Sequence, residues 1–145
     1  MDVRETLDTA RSAVKRMKAI RARMDFYRDL ATRATSSMEA VRVSGTGNHS
    51  KVEDNVVRLI DAQEALDREL ARSEATLADA ERLVAMLEEP RHSIMAYRYL
   101  MGMSWDDVSR IVGYDKRQVF RHHGWALQEL KHKIERMSQD VTKSH

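Results

Sequence analysis

One stretch of this chain narrows its folding options more than any other. Positions 52, 56, 59, 63, 66, 70, 73, 77, 80, 84 and 87 step by four and three without a break, and they read Val, Val, Leu, Gln, Leu, Leu, Ser, Leu, Ala, Val and Leu. Nine of these eleven are apolar, which is a heptad seam sustained over five repeats. A helix over residues 51–87 would span roughly 55 Å at the α-helical rise. Its apolar stripe is too narrow for such a helix to stand alone in water, so it demands a partner. Two partners are open: an earlier helix of the same chain folded back on it, or a second copy of the chain. Val52, Val56, Leu59, Leu66, Leu70, Leu77, Val84 and Leu87 are the expected seam residues. Gln63 and Ser73 are its polar breaks, which either set register or lie at an exposed edge.

A first helix is expected from residue 2 to the mid-thirties. Val3, Leu7, Ala10, Val14 and Met17 form its stripe, which slips and resumes as Ile20, Met24, Tyr27, Ala31 and Ala34. Residues 43–50, Val-Ser-Gly-Thr-Gly-Asn-His-Ser, hold two of the five glycines and no strong helix former, so they read as a flexible linker. Residues 1–87 are thus expected as a helical hairpin or coiled-coil element, and residues 88–145 as a second unit with shorter helices. No stretch reads as a strand. The fold class expected is all-α.

Composition supports this and removes several functions. Charged residues are 33% of the chain, aromatics 6%, and Pro90 is the single proline, a balance that favours long solvated helices. There is no cysteine, so disulfides and thiolate metal sites are excluded. No apolar run approaches the roughly 18 residues that span a membrane, and Asp2, Arg4, Glu5 and Asp8 interrupt any signal-peptide core. The expectation is a cytoplasmic protein. The six histidines show no i, i+4 pair and no His-Glu-x-x-His, so no metal site and no cofactor is expected. Asp106 and Asp107 sit where acids stabilise the first turn of a helix. Gly45-Thr46-Gly47 lacks the lysine of a phosphate loop. Tyr97, Tyr99 and Trp105 read as core packing. No catalytic constellation emerges.

The net charge of +2 hides a pattern. Residues 1–43 carry ten Lys/Arg against six Asp/Glu, residues 44–89 five against eleven, and residues 90–145 ten against six. An acidic middle between two basic ends suggests internal pairing with basic surface left over for a partner.

The second unit holds the pattern that points to chemistry. Helix starts are signalled by Asp2 with Glu5, Ser50 with Glu53, Ser104 with Asp107 and Asp115 with Gln118, each close to a capping box. Pro90 suits a first helical turn, and Gly102 and Gly113 suit helix ends. Helices are expected over residues 90–101, 104–111 and 116–137. A capped two-turn helix, a glycine turn and a second capped helix is the form of a helix-turn-helix. Val108, Ile111 and Val119 have the spacing to meet across the turn. Lys116, Arg117, Gln118 and Arg121 lie in the first turns of the second helix, the part that enters the major groove in this motif. Arg and Lys suit guanine O6 and N7, and Gln suits adenine N6 and N7. Arg91, His92, Arg98, Arg110, Lys131 and Lys133 are further candidates for phosphate contact.

A family resemblance rests on Arg98-Tyr99-Leu100, Ser104-Trp105-Asp106-Asp107-Val108, Gly113-Tyr114, Arg117-Gln118-Val119, Arg121, His123-Gly124 and Ala126-Leu127. Through these residues the stretch 89–131 resembles region four of bacterial sigma factors, and more closely the sigma-like phage regulators of the ArpU and RinA type. The upstream order of helix, Ser/Gly linker and long charged helix resembles related uncharacterised phage proteins. The resemblance implies a phage-encoded transcription regulator that binds double-stranded DNA in the host cell. Host RNA polymerase is a further possible partner, and the seam makes a homo-oligomer possible, with a dimer favoured. Three residues depart from the pattern. His122 replaces a buried aliphatic residue, Trp125 a basic one, and Phe120 a polar or tyrosine-like residue on the outer, DNA-facing side. Two other readings suit the same elements: a DNA-packaging component resembling a small terminase subunit, and a module that grips RNA polymerase.

Overall fold

The computed structural model describes residues 1–40 and 46–144, with side chains at 1–33 and 50–144. The protein is all-α. Its elements are α1 (Val3–Ala40), α2 (Thr46–Ala85), α3 (Arg91–Met95) running into a π-helical turn (Ala96–Leu100), α4 (Trp105–Val112) and α5 (Lys116–Lys143).

Local chemistry accounts for most of the boundaries. The Asp2 carboxylate accepts from the Glu5 N–H at 3.0 Å and starts α1. Ser104 accepts from the Asp107 N–H at 3.2 Å and starts α4. Asp115 and Gln118 form a reciprocal capping box on α5, at 2.8 and 3.2 Å. Gly113, at φ 77°, closes α4 in the left-handed region and donates to the Ser109 carbonyl. One expected boundary moves. Helix α2 begins at Thr46, so Thr46–Ser50 are helix and Ser50 is not its cap; Val43–Gly45 of the expected linker lie outside the described residues. Weak propensity costs at most about 1 kcal/mol per residue, which extension of an already formed long helix outweighs. The helix expected over 90–101 is also divided. The Met101 N–H reaches the Ala96 carbonyl five residues back, at 3.0 Å, and Gly102 follows at φ 70°.

The chain forms two compact units, Arg16–Arg72 and Met1–Lys15 with Ser73–His145. Within Arg16–Arg72 the two helices run antiparallel: Arg16 Nε donates to Glu69 at 2.9 Å, and Tyr27 lies beside Arg58 and Asp61. Ile20, Met24, Ala62 and Leu66 are buried there, with Met17, Leu59 and Ala65 packed on them. The seam on α2 is rotated from the expected one. Leu59, Leu66, Ser73, Ala80 and Leu87 keep an inward position. Over the hairpin the residues beside them, however, are Asn55, Ala62 and Glu69, one place earlier than expected, whereas further on Val84 is buried as expected and Leu77 packs on the core. Val56 and Leu70 are 41% and 44% exposed. Arg16 and Arg72 hold the Glu69 carboxylate inside the hairpin, and this pairing turns Leu70 outward.

The other unit has a large core shared between its N-terminal and C-terminal segments. Val3, Leu7 and Ala10 of α1 meet Ala80, Leu83, Val84 and Leu87, together with Met95, Tyr99, Ala126 and Leu130. The boundary expected between residues 87 and 88 therefore falls inside a packed core and does not separate the compact units. A smaller cluster of Ile94, Val108 and Val119 joins α3, α4 and α5. Ile111, expected there, is 51% exposed. Val112, four residues from Val108, shares its face and packs in its place.

Leu7 is fully buried in the shared core. We expect Leu7→Ala to cost about 2–5 kcal/mol and to destabilise the C-terminal helices as well. Thermal melting followed by tryptophan fluorescence checks this, because both tryptophans, Trp105 and Trp125, lie in that region.

Candidate nucleic-acid interface

Helix α4, the Gly113–Asp115 turn and the start of α5 follow one another as a short helix, a tight turn and a longer helix. Val108 and Val119 are fully buried against Ile94, which fixes the angle of α5 on α4. Tyr97, Met103, Trp105, Val112 and Tyr114 surround that contact. Burial of Val119 turns the opposite side of α5 outward, and Lys116, Arg117, Gln118, Phe120 and Arg121 are all exposed.

These residues are not equally available. Lys116 Nζ sits 2.6 Å from Asp106, and this hydrogen bond and charge hold the Asp106 carboxyl below its ordinary pKa. Gln118 Oε1 already accepts from the Asp115 N–H in the capping box, so the two-point contact expected for adenine has to share that oxygen with the cap or release it. Arg117 and Arg121 are exposed with no ion-pair partner among the described residues. Phe120 leans edge-on against Trp105, with 5.3 Å between centroids.

Several expected phosphate contacts are committed within the fold. Arg98 lies 4.3 Å over the Trp105 ring and donates to the Met103 carbonyl at 3.1 Å. Burial, and then the charge of Arg11, push its pKa below the ordinary value. It is a packing residue and does not present itself to a ligand. Arg91 pairs with Glu129 at 2.7 Å and lies over Trp125. Arg110 pairs with Asp107 on its own helix. Lys133 donates to the Met86 carbonyl at 2.8 Å and to Glu129 at 3.1 Å. His92 Nδ1 lies 3.0 Å from the Val84 carbonyl. Lys131 is exposed.

A longer row on α5 escaped sequence reasoning. Arg117, Arg121, Gly124, Gln128 and Lys131 step by four and three, and all five are exposed. Their spacing is a helical stripe that a search for apolar periodicity passes over. Gly124 stands out in it. A Cβ at Gly124 would meet no atom within 4 Å, so no packing within the fold calls for glycine there. Glycine inside a helix costs about 1 kcal/mol relative to alanine.

The aromatic departures from the family pattern have structural roles. His122 stacks on Tyr114 at 5.7 Å and meets Trp125 edge-on at 5.3 Å. Tyr99 and His123 form a hydrogen-bonded pair, with the phenol oxygen 2.6 Å from Nε2. Burial and the nearby Arg4 and Arg98 lower the His123 pKa to about 4, while burial raises that of Tyr99, so both stay neutral near pH 7. Among the described residues no group of three His, Asp or Glu is placed to hold a metal ion, and no helix is long and apolar enough to cross a membrane.

Comparison with family models, curated proteins and solved structures gives no match to this chain.

The His123 shift fixes a pH dependence. The unfolded imidazole titrates near 6.5 and the folded one near 4, so the unfolded chain binds more protons between these values. Stability from this pair is complete above pH 6.5 and is lost as pH falls toward 4. His123→Gln should flatten that part of a stability-versus-pH curve measured by urea denaturation. A parent curve that is flat between pH 7 and 4 would contradict the assignment.

Proposed function

We propose that this protein binds double-stranded DNA sequence-specifically through α5 and acts as a transcription regulator without catalytic activity. The observation that carries the reading is the exposed row Arg117, Arg121, Gly124, Gln128 and Lys131 on the outer side of a capped helix that follows a short helix and a tight turn. Arg117 and Arg121 are about 6 Å apart along the helix, and Gly124 is about 10 Å from Arg117. The major groove is about 12 Å wide. Two unpaired guanidinium groups therefore enter the groove while Gly124 meets its wall, where the missing side chain admits a sugar-phosphate strand close to the helix. Gln128 and Lys131 continue beyond it toward phosphates. Asp115 caps this helix within its own chain, so base contact falls to side chains and not to the helix end.

The resemblance to sigma region four and to the ArpU and RinA regulators supports the same reading, with a phage-encoded protein at work in a host cytoplasm as its setting. Contact with RNA polymerase belongs to that setting and rests on the resemblance alone.

Affinity for preferred and scrambled duplexes at several salt concentrations tests the proposal, with circular dichroism as the folding control. Arg117→Ala should lose about 1–3 kcal/mol on the preferred duplex and relax preference at one position. Lys131→Ala should weaken all duplexes alike and reduce the salt slope by about one unit. Gly124→Ala should raise the melting temperature yet weaken binding, a combination that a purely structural glycine does not produce. If Arg117→Ala and Arg121→Ala both fold and bind as the parent does, α5 is not the reading head.

A further inference from the structure

The hairpin of residues 16–72 covers only one side of each of its helices. Ile20, Met24, Ala62 and Leu66 are its buried apolar side chains, and a carboxylate, Glu69, is buried with them. Beside this thin seam α2 carries a second apolar row. Val56 and Leu70 are two heptads apart with Gln63 midway, and Ile60, 53% exposed, adjoins Val56 one turn on. Val57 extends the patch outward. Such a row left in water is a surface awaiting cover.

The charges say what covers it. Over residues 16–33, α1 carries six Lys/Arg and two Asp/Glu; over residues 50–72, α2 carries four and six. The two helices of one hairpin are thus opposite in sign, and the apolar row lies on the acidic one. DNA is repelled by that helix. A second hairpin turned by a two-fold offers a basic α1 to each acidic α2, and such a surface is self-complementary. The aliphatic stems of its Arg and Lys side chains suit an apolar row with acidic neighbours.

We propose that residues 16–72 dimerise with the same segment of a second copy of this chain, forming a four-helix bundle. In it, the Val56, Ile60 and Leu70 flank of each α2 packs against the Arg21 side of the partner α1. The assignment is independent of DNA binding. The sequence leaves two partners open for the seam residues, and this arrangement uses both: the Leu59 and Leu66 positions close the hairpin, and the Val56 and Leu70 positions close the dimer.

Sedimentation of the full chain over a range of concentrations tests this. The parent should sediment as a dimer. Ile60→Asp with Leu70→Asp should weaken association by about 30-fold or more, the scale of interface hot spots. Helix content should hold, because both side chains are exposed within one chain. Arg21→Glu should also weaken the dimer, and Asp67→Arg added to it should restore association, a recovery that damage to folding does not give. A parent that stays monomeric, a ring larger than a dimer, or a dimer indifferent to these changes would overturn the assignment.

Discussion

The burial of Leu7 among Leu83, Val84, Leu87, Met95, Tyr99 and Leu130 is the contact on which the C-terminal helices depend. Helices α3 and α4 have five and eight residues, too few to stand without tertiary packing. The small cluster of Ile94, Val108 and Val119 sets one angle between them but offers little apolar area. The first turns of α1 and the last turns of α2 supply the remaining wall. Ala126 and Leu130 extend that wall along α5, and this holds α5 with one side inward and the opposite side facing solvent. The outward row from Arg117 to Lys131 is therefore a consequence of packing that begins at the N-terminus.

Within that frame the cations divide into two kinds. Arg91, Arg98, Lys116 and Lys133 have partners in other elements, and Arg110 has one on its own helix. Exposed pairs such as Arg110–Asp107 add little stability. Their effect is to neutralise charge locally, which leaves Arg117, Arg121 and Lys131 as the exposed cations of the outward row on α5. The Tyr99–His123 pair works differently. It fills the space behind Trp105 with neutral groups, and Trp105 in turn supports Phe120.

Much of the fold was legible in the residues. Heptad spacing located α2, short polar side chains located the starts of α1, α4 and α5, and Gly113 located the turn. What escaped was orientation. The four-three pattern of α2 fits two neighbouring stripes that share Leu59, Leu66 and Leu87, and the pairing of Arg16 with Glu69 selects between them. Such a long-range ion pair leaves no local trace. Ile111 and Val112 are both apolar, so only the packed angle of α5 on α4 shows which turns inward. The same limit applies at the site. Residue type proposed Arg98 and Arg117 alike, but only three-dimensional neighbours show that Arg98 lies on Trp105 while Arg117 stays exposed. Gly124 carries no chemistry of its own, and only the packed structure shows that no neighbour calls for glycine there.

The central claim, that α5 reads a DNA sequence in the major groove, is tested most directly by selecting bound duplexes from a random pool with the full chain. The account predicts enrichment of one short motif, with guanines where Arg117 and Arg121 reach. Guanine preference at one of those positions should disappear when the selection is repeated with Arg117→Ala. Recovery of an unenriched pool by the folded parent protein would contradict it, and would leave α4 and α5 as a fold without that function.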